Sequence, residues 1–153
     1  MYIKEILEKY KDKKVRLYLD MDGTIVDYDF GNPDNYDTKR PLMERINKLK
    51  EIIKLFDNVE LYILTICHKE KNVLEKNIWL DKYIPEIKKD NRIIIIRDVN
   101  GSKSSGDKKR DYFNNLNTSD TIVFIDDDPR ILKAVKNDNK NNVIIYKDSV
   151  LSD

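Results

Sequence analysis

Apolar residues follow two rhythms along the chain, short continuous runs and stretches spaced at three and four residues. Ile3, Ile6, Leu7 and Tyr10 recur at helical intervals and predict a short amphipathic helix with its lysines on the solvated face. Val15 to Leu19 is an apolar run of strand length. Leu42, Ile46, Leu49, Ile53 and Phe56 predict a second helix, with Pro41 suited to its first turn. Val59 to Leu64 reads as a second strand ending at Thr65. Lys69 to Tyr83 carries Val73, Leu74, Ile78, Trp79 and Leu80 and is stopped by Pro85, a third helix. Arg92 to Arg97 encloses four consecutive isoleucines, a pattern suited to a buried strand. Lys108 to Leu116 predicts a helix, Thr121 to Ile125 a strand, Ile131, Leu132 and Val135 a helix, and Asn142 to Tyr146 a last strand. Asp27 to Lys39 and Asp98 to Asp107 are rich in turn formers and read as loops.

Strands alternating with helices predict an α/β fold, a three-layer Rossmann-like sandwich with a central five-stranded parallel sheet and helices on both faces. No linker, repeat or composition shift divides residues 1–153, so one domain is expected. Charged residues make up 37% of the chain, but 29 basic against 28 acidic residues leave +1, and no global field demands nucleic acid or an anionic membrane. Cys67 is the single cysteine, which excludes an internal disulfide and fits a reducing cytosol. No run approaches the ~20 apolar residues of a membrane span, and residues 1–14 lack a signal-peptide core. A soluble, cytoplasmic protein is expected.

Candidate chemistry concentrates where the apolar runs end. Val15 to Leu19 runs into Asp20-Met21-Asp22-Gly23-Thr24. Acids at i and i+2 share one face of a continuing strand, and Gly23 lets the backbone turn away at once. Like charges that close are costly without a cation or a shared proton, so the pair reads as a metal-dependent site. A second acidic cluster, Asp126-Asp127-Asp128, ends the Thr121 to Ile125 run.

Asp20-Met21-Asp22-Gly23-Thr24 resembles the DxDGT motif of the haloacid dehalogenase (HAD) superfamily of phosphotransferases. The family's later motifs have counterparts in order. Thr65 closes a strand, with the Ile66 amide beside it. Lys109, in Lys109-Arg110-Asp111-Tyr112-Phe113, stands as the motif lysine, with Lys108 and Lys103 as alternatives. Asp126 and Asp127 follow the fourth strand, selected over Asp128 by the register of Ile131-Leu132, and Asp128 would cap the next helix at Pro129. The match spans roughly residues 15 to 132.

The resemblance implies a Mg2+-dependent phosphatase. Asp20 would be the nucleophile forming an aspartyl-phosphate, and Asp22 the general acid and base. Asp20, Asp126 and the Asp22 backbone carbonyl would ligate the metal with support from Asp127 or Asp128. Thr65 and Lys109 would bind phosphoryl oxygens, with Gly23, Thr24, Ile66, His68 and Lys108 lining the substrate site. Neither inter-motif gap has room for a full cap domain. In the family this goes with macromolecular substrates or with a cap borrowed from a partner subunit, here a homo-oligomer.

Lys76 to Pro85 is similar to small 5′(3′)-nucleotidases, which implies nucleotides or small phosphorylated metabolites as substrates. The Gly31 to Asp37 loop is similar to the phosphatase half of polynucleotide kinase–phosphatases, which implies nucleic-acid ends and 3′-phosphatase activity. Tyr28, Phe30, Tyr36 and His68 can stack on a base or pack the loop. Trp79 reads as core. Two further classes stand beside the enzyme. One is a non-catalytic phosphate-binding regulatory module, which a chain retaining every acid argues against. The other is a receiver-type signalling domain, which would place its phosphoacceptor near Asp98.

Overall fold

The structure, a computed structural model, describes residues 2–29, 31, 35–97, 101, 103–137 and 140–152. Five strands form one parallel sheet: β1 (Val15–Leu19), β2 (Val59–Cys67), β3 (Arg92–Ile96), β4 (Thr121–Asp126) and β5 (Ile144–Lys147). The strand order is β3-β2-β1-β4-β5, so β1 is central and chain order reverses on either side of it. A parallel sheet needs crossovers. They are supplied by α2 (Met43–Leu55), α3 (Glu70–Tyr83), α4 (Ser105–Asn114) and α5 (Pro129–Asn137), with α1 (Ile3–Glu8) leading into β1. The expected α/β architecture is present. No described helix is long and apolar enough to cross a membrane.

Strand alternation divides the core in two. Leu17 and Leu19 of β1, Leu61 and Ile63 of β2 and Val123 and Ile125 of β4 pack with α1, α2, Trp79, Leu80, Val150 and Leu151. Tyr18, Leu64, Ile122 and Phe124 point the other way, against Phe113 of α4 and Leu132 and Val135 of α5. Period-two side-chain geometry thus assigns each residue at the carboxyl ends of these strands to one helical layer or the other.

Several elements depart from the pattern-based expectation. β2 continues beyond Thr65 to Cys67 because β3 is offset along it, pairing Ile63 through Cys67 with Arg92 through Ile96. β3 is an edge strand rather than a buried one, and Ile96 at its end is exposed. A continuous apolar run does not distinguish a central strand from an edge strand. Pro41 lies outside α2, in an isolated antiparallel bridge to Val26. α4 begins at Ser105 rather than Lys108, because Ser104 accepts from the Asp107 amide and Asp107 returns the bond to the Ser104 amide. The inward stripe of α3 is Asn72, Lys76, Trp79 and Leu80, which leaves Leu74 and Ile78 exposed. The last strand starts at Ile144, two residues later than its apolar pattern suggested. Phe30, Asn32, Pro33, Asp34, Asp98 to Asn100 and Ser102 lie outside the described residues.

Close approach of α4 to α5 fixes the height of α4 on the sheet. A Cβ built on Gly106 would sit 2.9 Å from the Ala134 Cβ and 3.4 Å from the Ile131 Cα. Replacing Gly106 by Val is expected to push the helices apart and destabilise the fold by about 1–3 kcal/mol, the range for overpacked cores, measurable by urea denaturation.

Candidate functional site

The carboxyl ends of β1, β2 and β4 meet at one point, with the turn after β1 closing over it. That turn winds around one carbonyl: the Thr24, Ile25 and Val26 amides all donate to the Met21 oxygen at 3.0 Å. Gly23 adopts φ +82°, and a side chain there would collide with Asp127 and the Tyr28 ring. Arg45 of α2 clamps the turn by donating to the Gly23 and Thr24 carbonyls at 3.2 and 3.0 Å, and is itself paired with Asp148 at 3.0 Å. Thr24 is fully buried, and its hydroxyl has no hydrogen-bond partner among the described residues.

Asp20 follows Leu19, and Asp126 follows Ile125, so alternation turns both acids toward the α4 layer. Lys109 comes from the buried stripe of α4, Gly106, Lys109 and Phe113. Its ammonium donates to Asp20 Oδ1 at 2.9 Å and to Asp126 Oδ2 at 2.8 Å. Burial opposes the charge on Lys109, yet the two carboxylates hold its proton above the ordinary lysine range. Burial likewise raises Asp20 well above the usual carboxylate range, and the nearby charges of Asp126 and Asp22 add to this against the pull of Lys109. Asp126 is raised by burial as well. Two acids share one ammonium group, and one carboxylate charge is left over.

Asp127 joins them: carboxylate oxygens of Asp20, Asp126 and Asp127 all lie within 4.8 Å of one another. An all-oxygen donor set of this size suits a hard divalent cation. Tyr28 donates its hydroxyl to Asp127 Oδ2. Asp128 stands apart. Its amide donates to Asp126 Oδ1 at 3.0 Å, while its side chain accepts from the Arg130 amide at 2.9 Å, the capping position the sequence indicates.

Thr65 follows Ile63 by two and so faces the α3 layer. There it meets Lys76, a buried lysine that sequence reasoning passed over. Lys76 Nζ donates to Thr65 Oγ1 at 2.7 Å and to the Ile66 carbonyl at 3.1 Å, and lies 3.6 Å from Asp22 Oδ2. Burial lowers its proton affinity, against the pull of Asp22 and Asp20. Its position on an otherwise inward stripe with Trp79 and Leu80 was the available signal. The Asp22 side chain lies apart from the three clustered acids. Its Oδ1 accepts from the Tyr36 hydroxyl and from Lys39 Nζ at 3.1 Å. Burial disfavours its charge, but Lys76, Tyr36 and Lys39 together hold Asp22 below the usual carboxylate range.

Among the sequence candidates, Asp20, Asp22, Thr65, Lys109, Asp126 and Asp127 are brought together. Lys103 pairs with Asp111 at 2.6 Å on the surface, and Lys108 is only half-buried one residue before the lysine that enters the site. Ile66 and His68 line a cleft of about 260 Å3 beside Asp22, with Tyr28, Tyr36, Lys39 and Lys76. Trp79 is buried as expected, and its indole donates to the Lys39 carbonyl at 3.0 Å.

No protein-family model matches the sequence, and no curated protein matches it. Solved structures do share the fold. A chain of the structure described as "Structure of the Pnkp1/Rnl/Hen1 RNA repair complex" superposes with a TM-score of 0.65 at 15% identity, covering 89% of this chain and 42% of the other. A chain of "Structure of Pnkp1/Rnl/Hen1 complex" gives 0.64 at 15% identity, over 89% of this chain and 45% of the other. The chain therefore spans less than half the length of either.

The raised Asp20 carboxyl fixes a sign. A carboxyl whose folded value lies above its unfolded one contributes stability below the unfolded value and loses it as pH rises through the folded value. Metal-free protein is expected to gain stability from this carboxyl as pH falls toward the ordinary carboxylate range, and Asp20→Asn to lack this gain, in melting curves recorded as a function of pH.

Proposed function

We propose that the chain is a HAD-type, Mg2+-dependent phosphatase acting on phosphate monoesters, with nucleotides as the leading substrates. The observation that carries the reading is the convergence of Asp20, Asp126 and Asp127 around one point, with Lys109 bridging two of them. A phosphate monoester is itself anionic, so a carboxylate reaches its phosphorus only where neighbouring charge is neutralised. Asp20, Asp126, Asp127 and the Asp22 backbone carbonyl would hold the magnesium ion. When bound, that ion neutralises charge on the phosphoryl oxygens.

The chain's own groups supply the remaining steps. An Asp20 oxygen forms a bond to phosphorus as the ester bond breaks, and Asp22 hands a proton to the departing oxygen. Water then attacks the aspartyl-phosphate while Asp22 takes its proton, releasing inorganic phosphate and free Asp20. Thr65, whose hydroxyl proton remains available because Lys76 is the donor in their bond, reaches a phosphoryl oxygen together with Lys76 and Lys109. Asp22 is held ionised before substrate arrives. An incoming phosphate adds negative charge beside it and competes for Lys76, and both effects favour its protonated form.

A second substrate class, nucleic-acid ends, is favoured by the shared fold with a chain of the RNA repair complex structures. Purified protein is expected to hydrolyse p-nitrophenyl phosphate with Mg2+ and not with chelator. A panel of nucleoside monophosphates and 3′-phosphorylated oligonucleotides ranks the substrates. Asp20→Asn is expected to lower turnover by at least about a thousandfold, the scale seen when a covalent nucleophile is removed. Activity surviving in that variant would overturn the nucleophile assignment. Mg2+ at a hundred times its dissociation constant is expected to stabilise the wild type by about 2.7 kcal/mol, and Asp126→Asn to lose most of this in thermal melts.

A further inference from the structure

The segment between the β1 turn and α2 sends two side chains to the same atom. Tyr36 and Lys39 both donate to Asp22 Oδ1, and neither touches Asp20, Asp126 or Asp127 in any hydrogen bond or ion pair recorded among the described residues. Both are buried, at 2% and 6% exposure, although they belong to a loop. Their placement is enforced from outside the site. Trp79 of α3 donates to the Lys39 carbonyl at 3.0 Å, and the Tyr36 amide donates to Glu75 Oε2 at 3.3 Å. The Tyr36 ring stands edge-on to Trp79 with centroids 6.4 Å apart, and the Lys39 ammonium lies 4.4 Å from the Tyr36 centroid. Within the loop, the Lys39 amide donates back to the Tyr36 carbonyl at 3.3 Å, which closes the turn that presents both side chains.

Resting on the phosphatase reading, we propose that Tyr36 and Lys39 are positioning residues for Asp22, occupying Oδ1 so that Oδ2 is the oxygen that carries the proton. A carboxylate oxygen that already accepts two strong donors is the poorer site for a proton, and the second oxygen of the same group takes it. Oδ2 faces the Lys76 and Thr65 side of the site, 3.6 Å from Lys76 Nζ, where the phosphoryl group is held in the proposed reaction. The pair of donors also locks the carboxyl plane, so the proton on Oδ2 is aimed at the departing oxygen when the substrate binds. In the first half-reaction that proton moves from Oδ2 to the ester oxygen as its bond to phosphorus breaks and the bond from Asp20 forms. In the second half-reaction Oδ2 takes a proton from the attacking water.

This assignment has a signature that a merely structural role lacks. Proton donation matters most for a poor leaving group, such as the alkoxide of a nucleoside, and least for p-nitrophenolate, which departs as a stable anion. Tyr36→Phe and Lys39→Met are compared with wild type on a nucleoside monophosphate and on p-nitrophenyl phosphate, both with Mg2+. In each variant the loss in kcat on the nucleotide is expected to exceed the loss on the aryl ester by about tenfold, a fraction of the 10²–10⁴ that general acid catalysis supplies. Lys39→Arg, which restores a cationic donor, is expected to recover part of the nucleotide activity. Equal losses on the two substrates, or no loss on either, overturn the positioning role and leave the phosphatase reading intact. Wild-type protein inert toward both substrates overturns the phosphatase reading and this assignment with it. Tyr36→Phe deletes a single oxygen and keeps the ring against Trp79, so it decides the question where Lys39→Met does not fold.

Discussion

One ammonium group shared by two buried carboxylates is the constraint around which this molecule is arranged. Lys109 lies between Asp20 and Asp126 within hydrogen-bonding distance of each, deep enough that water gives none of the three much help. Removing one partner of a buried pair costs about 3–5 kcal/mol because the other charge is left behind. The elements that place Lys109 are therefore constrained together: α4 at its height against α5 through Gly106, and β1 and β4 in parallel register. The surplus negative charge left by this arrangement is what makes a divalent cation a natural complement.

The rest of the site follows from side-chain alternation in a parallel sheet. Asp20 and Asp126 face the layer that contains α4, whereas Thr65 faces the layer that contains α3. Each layer sends one lysine over the carboxyl edge of the sheet, Lys109 from one side and Lys76 from the other. A loop without regular structure then contributes Tyr36 and Lys39. Its conformation is held by hydrogen bonds to Glu75 and Trp79 rather than by periodicity.

This division explains what could be read from the sequence. The acids and Thr65 sit at the ends of apolar runs, so spacing along the chain located them before any packing was known. Lys109 and Lys76 each lie on the buried stripe of a helix. The Lys76 stripe was the harder one to see, because Leu74 and Ile78 are apolar yet point to solvent. The start of α4 was written in Ser104 and Asp107, a reciprocal capping pair hidden among loop-forming residues. Lys39 had no sequence signal, since nothing local separates it from the other lysines of a lysine-rich chain. It becomes special only because its carbonyl docks on an indole some forty residues away. The edge position of β3 was equally silent, for sheet order is a property of topology and not of a run of isoleucines.

Because the two lysines come from opposite helical layers, a phosphate held by both, as in the proposed reaction, would be a staple across the sheet. Occupancy of the site would therefore tie the opening of α3 to the opening of α4, and amide protons in the two helices would slow their exchange together although the helices lie on opposite sides of the molecule.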